Sequence, residues 1–388
     1  TTEFQWWHAM GGRLGEKVNA IAKQFNESQS DYKLTPVYKG NYTETMTAAI
    51  AAFRAKKQPH VVQVFEVGTA TMMAAKGAIY PVHQLMDDQK IPFDENEYLK
   101  AVTGYYTDSK GNMLSMPFNS STPVLYYNKN QFKQAGLDPN KPPKTWPEVE
   151  SFAKKLQSSG VKCGFTTGWQ SWVQLENFSA WHNVPFATKS NGFDGLDTEF
   201  TFNSPLHIKH IGALANWQKS KIFDYGGRRS KSNTKFYTQE CAMYMNSSAA
   251  YAGVKKNAKD FEFGVGHLPY WPDAAGAPQN SIIGGATLWV LRGHSDESYK
   301  AVGAFFKFLS SAEVQADWHQ FTGYLPITKS AYELSQKQGF YAKNPGTDIS
   351  IKQMIGKDPT PNSKGLRLGN FRSEEHTSEL QLQFRISY

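Results

Sequence analysis

No apolar run in this chain approaches the roughly 18 residues that a membrane span requires. Cysteine is nearly absent, with Cys163 and Cys241 the whole complement. A zinc site needs clustered Cys and His ligands, and this distant pair does not supply them. The two thiols either form one disulfide in an oxidising compartment or stay as small buried side chains. Spacing leaves both open, and burial without pairing is the preferred reading. A focused basic patch is missing too. The net charge is +8, but the basic residues are scattered, and the one dense spot is Arg228-Arg229-Ser230-Lys231. That pattern does not suit nucleic-acid recognition. Catalytic signatures are absent as well: no Gly-x-Ser-x-Gly elbow, no phosphate-binding Gly-rich loop before a helix, no His-Glu-x-x-His. His207 and His210 are three apart on an expected helix, a spacing that could hold a metal, but the plain reading is an exposed surface pair. Glu66 lacks a carboxylate partner for glycosidase chemistry. The expectation is a binding protein with no enzyme activity, no cofactor and no metal.

The length of 388 residues exceeds one ordinary core and implies two domains. Aromatics are plentiful, at 25 Phe, 19 Tyr and 10 Trp, and suit a polar-ligand cleft with flat apolar walls. The chain opens on Thr1 to His8, which reads as strand with no charged and apolar leader ahead of it. That is the start either of a cytosolic protein or of a secreted one whose signal peptide has been removed. Leu14, Val18, Ile21 and Phe25 fall on one helical face, Tyr32 to Tyr38 reads as a strand, and a helix follows around Thr45 to Ala55. His60 to Glu66 is almost continuously apolar, as in a strand covered on both faces. This alternation implies an α/β fold built from βαβ units.

The chain crosses to a second domain near Phe118 to Pro123, because the pattern restarts with the strand Val124 to Tyr127. Thr145 and Glu148 form a capping box for a helix, and Ser204-Pro205 opens another. Strands are expected at Cys163 to Thr166, Cys241 to Met245, Phe263 to Leu268 and Leu288 to Leu291. The loop Gly168-Trp169-Gln170-Ser171-Trp172 follows the first of these.

Two sets of blocks carry a family resemblance. Tyr127-Asn128-Lys129, Phe132, Ala135-Gly136-Leu137 and Pro143-Lys144-Thr145-Trp146 resemble the extracellular solute-binding family of ABC importers. Longer blocks resemble the periplasmic members that bind glycerol 3-phosphate. These are Tyr38 to Tyr42, Glu66 to Met73, Pro117 to Ser121, Gly168-Trp169-Gln170, Gln174 to Phe178, and Gly323 to Thr328. The resemblance implies a two-lobed fold, each lobe a mostly parallel sheet flanked by helices, with the ligand cleft between lobes. The expected lobes are residues 1–122 with about 283–327, and 123–282 with about 328–371. Implied partners are sn-glycerol 3-phosphate or a related glycerophosphodiester and the membrane permease, with the protein itself a monomer. Implied ligand positions are Tyr42, Glu66, Ser121, Trp169, Ser247, Gly285 and Tyr324. They fall where strands give way to loops, the usual binding edge of open α/β sheets. An oligosaccharide-binding member of the same family is the alternative.

Each position also has a bland reading. Tyr42 suits a turn beside Gly40-Asn41, Ser121 suits the turn before Pro123, and Trp169 suits a core. Glu66 suits a salt bridge and Gly285 a tight bend. Ser247 closes a strand in a serine pair whose hydroxyls and amides suit phosphate oxygens, and Tyr324 follows a helix-ending glycine.

From Arg372 the sequence resembles the frame translation of a sequencing-library adapter, and residues 372–388 are read as a non-native tail. Family members carry a phosphate-gripping arginine shortly after the block matched by Gly365 to Asn370. The matching position here is Glu375, so weak anion binding is expected of this chain.

Overall fold

The computed structural model describes residues 1–368 apart from Leu196, so Glu375 and the suspected tail lie outside the described residues. Ten strands run in chain order: β1 Thr2–His8, β2 Tyr32–Tyr38, β3 Val61–Phe65, β4 Ile79–Tyr80, β5 Met116–Ser121, β6 Pro123–Asn128, β7 Cys163–Thr167, β8 Cys241–Ser247, β9 Phe263–Gly266 and β10 Gly284–Leu291. The described chain divides into two units, one of Thr1–Ser120 with Ile283–Phe340, the other of Ser121–Ile282 with residues 341–368.

In the first unit the sheet order is β2-β1-β3-β10-β4, with β5 pairing to β10. Helix α1 (Gly12–Ser28) buries Val18, Ile21, Ala22 and Phe25 on one face. Phe25 meets Phe4 of β1 at 6.1 Å and Phe305 at 5.3 Å between ring centroids. Helix α2 (Tyr42–Arg54) starts with a complete capping box, because Asn41 accepts from the Glu44 N–H and Glu44 reaches back to the Asn41 N–H. All five residues of β3 are buried, as a strand covered on both faces requires.

In the second unit the order is β7-β8-β6-β9. Its core gathers Phe132, Trp146, Phe165, Trp217 and Met243. The helix Trp146–Ser158 lies on that core and is capped by Thr145, which accepts from the Glu148 N–H at 3.2 Å. The Glu148 carboxylate reaches the Lys144 N–H, not that of Thr145.

Five expectations are corrected. The sheets are mixed, not mostly parallel. β1 runs parallel to β2 and β3, but β10 runs antiparallel to β3 and β4. In the second unit only β7 and β8 are parallel, while β6 runs against both β8 and β9. An apolar run marks a buried strand but carries no direction. The return to the second unit comes at Tyr341, not near residue 328, and the first crossing falls between Ser120 and Ser121. Thr328 caps the helix Lys329–Lys337, whose Ser335 meets His319 Nε2 at 2.5 Å, and this ties the segment to the first unit. Cys163 and Cys241 form a disulfide, because β7 and β8 place them as register partners with Cα atoms 4.4 Å apart. His207 and His210 are 1% and 0% exposed, so they are core residues and not a surface pair. Each has partners: His207 meets Ser179 and Ser204 hydroxyls, and His210 meets the Gln174 amide and the Trp271 indole N–H. Finally, the expected loop through Trp172 is shorter, since helical structure starts at Gln170 and widens into a π-turn over Trp172–Asn177.

Candidate functional site

Four of the seven expected positions, Tyr42, Glu66, Gly285 and Tyr324, belong to the first unit. Capping by Asn41 places Tyr42 as the first residue of α2, and its ring lies parallel to Phe65 with centroids 5.4 Å apart. The turn reading of Tyr42 therefore holds for its backbone, while its side chain points to a polar cluster. Its hydroxyl accepts from Asn119 Nδ2 at 3.0 Å. Burial raises the Tyr42 and Tyr324 phenol pKa values, and the negative charge of Glu66 raises them further.

Glu66 is 5% exposed and opens a short 3₁₀ turn where β3 ends, with its carbonyl accepting from the Tyr105 hydroxyl at 2.8 Å. Tyr324 follows Gly323, a left-handed helix cap at φ +87°. Its ring is stacked on Trp318 (5.7 Å), which in turn stacks on Phe118 (4.5 Å). This aromatic ladder fixes where the phenol points.

Gly285 has a φ of +100°, and a Cβ there would lie 2.2 Å from the Asn119 carbonyl oxygen. That close approach of β10 to β5 requires glycine whether or not a ligand is present. The bland reading of this position thus has a full physical account.

Ser121, Ser247 and Trp169 belong to the second unit, and strand register brings them together from far apart in the chain. β6 pairs Pro123 with Ser247, and the Ser247 hydroxyl donates to Ser121 Oγ at 2.8 Å. β7 pairs Thr167 with Met245, so Trp169 and Ser247 each lie two residues beyond a register pair at the C-terminal ends of adjacent parallel strands. Ser247 Oγ accepts from the Ala249 N–H at 3.0 Å, and its carbonyl accepts from Tyr126 Oη at 2.8 Å. The neighbouring Ser248 hydroxyl is buried with no hydrogen-bond partner among the described residues.

Trp169 is partly buried against the core and has a left-handed φ of +44°, an uncommon state for a bulky residue. Its N–H donates to the Arg229 carbonyl at 2.9 Å. Gly168 packs so closely that a Cβ would lie 2.9 Å from that same oxygen. Trp169 is therefore part core and part strained loop.

The Arg367 guanidinium sits 4.5 Å over the Phe193 ring, and the Arg367 backbone N–H donates to the Asn191 carbonyl at 2.9 Å.

Sequence reasoning missed Gln63 and Asn119, both fully buried in strands. A signal was present in Val61-Val62-Gln63-Val64-Phe65. An amide inside an otherwise apolar buried strand must be hydrogen-bonded there, and such groups gather at sites.

The family model of bacterial extracellular solute-binding proteins matches residues 20–347. The sn-glycerol-3-phosphate-binding periplasmic protein UgpB of Yersinia pseudotuberculosis is 56% identical over 370 residues, covering 95% of this chain and 84% of that protein. The protein of the same name from Pectobacterium atrosepticum is 55% identical, covering 95% and 83%. Among solved structures, UgpB from Mycobacterium tuberculosis in complex with glycerophosphocholine aligns with a TM-score of 0.78 at 21% identity, covering 100% of this chain and 98% of that one. Maltose-bound MalE3 of T. maritima aligns with a TM-score of 0.77 at 18% identity, covering 94% and 90%. At these identities the two structures report the shared fold.

Proposed function

The chain belongs to the bacterial extracellular solute-binding protein family, and from that premise we propose that it captures sn-glycerol 3-phosphate, and glycerophosphodiesters such as glycerophosphocholine, in the periplasm. Ligand-dependent closure then delivers the cargo to the permease of an ABC importer, with no bond made or broken. The observation that carries this reading is the identity of 55–56% over 95% of the chain to proteins named for binding sn-glycerol 3-phosphate.

The chemistry of the proposed positions supports it. A glycerol 3-phosphate presents hydroxyl donors at one end and acceptor oxygens at the other. Glu66 is an acceptor for polyol hydroxyls, while Tyr42 and Tyr324 bring phenols. Ser121 and Ser247 bring hydroxyls suited to phosphate oxygens, and the Trp169 ring offers a flat apolar face. Gly285 contributes through the close strand approach that holds Asn119.

The test is calorimetric titration of the full chain and of its Glu375→Arg form with sn-glycerol 3-phosphate, glycerophosphocholine and maltose. Binding of the two phosphate esters, tighter in the Glu375→Arg form, is expected. Replacing Glu66 by Gln in that form lowers affinity by about 10- to 100-fold, the usual loss for one charge-assisted hydrogen bond. Uptake of maltose with neither ester bound replaces this reading with an oligosaccharide carrier. Release of free alcohol from glycerophosphocholine overturns the non-catalytic part.

A further inference from the structure

The dense basic stretch Arg228-Arg229-Ser230-Lys231 is not among the expected ligand positions, yet the second unit lays it against Trp169. The Trp169 N–H donates to the Arg229 carbonyl at 2.9 Å, and Gln170 Nε2 donates to the Gly227 carbonyl at 2.7 Å. Asn246, the residue before Ser247, donates from Nδ2 to Ser230 Oγ at 3.3 Å. Ser232 Oγ donates to the Thr167 carbonyl at 3.0 Å. These bonds strap the 226–231 loop to the C-terminal ends of β7 and β8, where Trp169 and Ser247 lie. Trp169 and Arg229, joined by the first bond, have φ of +44° and +52°. Two bulky residues in the left-handed region persist only where the surrounding contacts hold them, and such strain clusters at functional sites.

The charge of this segment is one-sided. Residues 219–235 include Lys219, Lys221, Arg228, Arg229, Lys231 and Lys235, and their only acid is Asp224. The Asp224 carboxylate is already shared by Lys221 at 2.9 Å and Lys235 at 2.8 Å. Arg228 and Lys231 are exposed, and among the described residues neither is in an ion pair. Exposed cations of one sign beside an apolar wall raise the local concentration of anions and the rate at which they arrive.

We propose that the 226–231 loop is an electrostatic collector for phosphate monoesters, which speeds their capture at the Trp169 end of the site. The inference rests on the proposed function and deepens it by ranking the two esters. Glycerol 3-phosphate carries nearly two negative charges at neutral pH and is drawn in. Glycerophosphocholine cancels its diester charge with its own quaternary ammonium and is not.

The test is stopped-flow tryptophan fluorescence of the full chain and its Glu375→Arg form, each with and without Arg228→Ser plus Lys231→Ser. Arg229 is kept, because its carbonyl holds Trp169. At 0.01 M salt, where screening acts over about 30 Å, the paired substitution should slow association of sn-glycerol 3-phosphate by about 3- to 10-fold. At 1 M salt screening shortens to about 3 Å, and the difference should fall below about 1.5-fold. Dissociation of this ester, and both rate constants for glycerophosphocholine, should change by less than about 1.5-fold. Equal association rates at 0.01 M salt overturn the proposal. So does a loss that survives 1 M salt, which marks a direct contact, or equal slowing of glycerophosphocholine, which marks a structural effect. If the paired substitution does not fold by circular dichroism, Arg228→Ser and Lys231→Ser singly carry the same test, each with a smaller effect of the same salt dependence.

A ligand-free readout separates this proposal from the function it rests on. Quenching of Trp169, taken as the difference from a Trp169→Phe form, is measured with iodide and with neutral acrylamide at low salt. A positive field favours iodide, and the paired substitution should lower the iodide-to-acrylamide ratio by about 1.5- to 2-fold. Glu176, the acid on the π-turn that continues from Trp169, is the same in both chains and cancels. A lowered ratio with neither ester bound overturns the proposed function and leaves the collector standing. An unchanged ratio overturns the collector even if both esters bind.

Discussion

Acid is expected to unfold the first unit well before its carboxylates titrate. His8, His60 and His319 are each held neutral, with burial lowering their pKa to about 4, about 4 and about 3, and the neighbouring His294 adding to the shift of His60. Geometry explains two of them. The Met10 N–H donates to His8 Nδ1 at 3.2 Å, and the Gln5 N–H donates to His60 Nδ1 at 3.3 Å. Protonating either nitrogen would set one N–H against another.

An unfolded histidine takes its proton near pH 6.5, above all three folded values. The stability these residues carry is therefore complete above pH 6.5 and is lost as pH falls toward 4. Between pH 7 and pH 5 the buried His8 and His319 each cost about 1.8 kcal/mol and the partly exposed His60 about half that, or about 4–5 kcal/mol for the three. That approaches the whole stability of an ordinary domain, about 5–15 kcal/mol. At pH 5.5 unfolding of this unit should take up about 2.2 protons through these three rings, a slope of about 3 kcal/mol per pH unit.

Urea unfolding followed by circular dichroism at pH 7.0, 6.5, 6.0 and 5.5 gives this slope directly. His60→Gln should lower it by about half a proton. An uptake below about one proton at pH 5.5 in the parent would refute the reasoning, because the three rings would then be charged or exposed in the folded state.

Other perturbations have equally definite outcomes. Gly285→Ala combines a left-handed φ with a Cβ 2.2 Å from a backbone oxygen, so a loss of about 2–4 kcal/mol in urea unfolding is expected. Ligand affinity should fall with it, because the oxygen displaced is that of Asn119. Replacing Cys163 and Cys241 by Ser opens a loop with a sequence separation of 78. Chain entropy puts the loss at about 4.5 kcal/mol at most, read as a lower urea midpoint of the second unit that matches the reduced parent. Burial raises the Asp224 carboxyl, but hydrogen bonds from Lys235, Gln218 and Lys221 outweigh that and hold it at about 2. That lowered value stabilises the fold above the unfolded pKa near 3.9 and fades as pH falls toward 2. Asp224→Asn should thus cost about 1 kcal/mol at pH 7 once solvent screening of the ion pairs is allowed for, and the cost should shrink in acid.

Local structure was legible wherever a short-range rule applied. Tyr32 to Tyr38 is a strand over the span its pattern indicates, and Thr145 and Ser204 cap the helices they precede. The buried stripe Val18, Ile21 and Phe25 faces the core as its spacing requires. The grouping of Tyr42 with Tyr324, or of Ser121 with Ser247, was not legible from spacing. It came from family resemblance, because strand register and a helix cap decide it. His207 and His210 show the opposite failure. Their polarity suggested a surface, while partners from other segments, Ser179, Gln174 and Trp271, make burial tolerable.

By itself the amino-acid order determined the elements, their buried faces and the family, because periodicity, caps and long matching blocks reside in neighbouring residues. Only tertiary structure decided strand direction, the Cys163–Cys241 bond and the placing of the 226–231 loop beside Trp169. Each of these depends on which distant backbone lies alongside. Pairing energy becomes available only after the chain has closed on itself, so no local pattern records it.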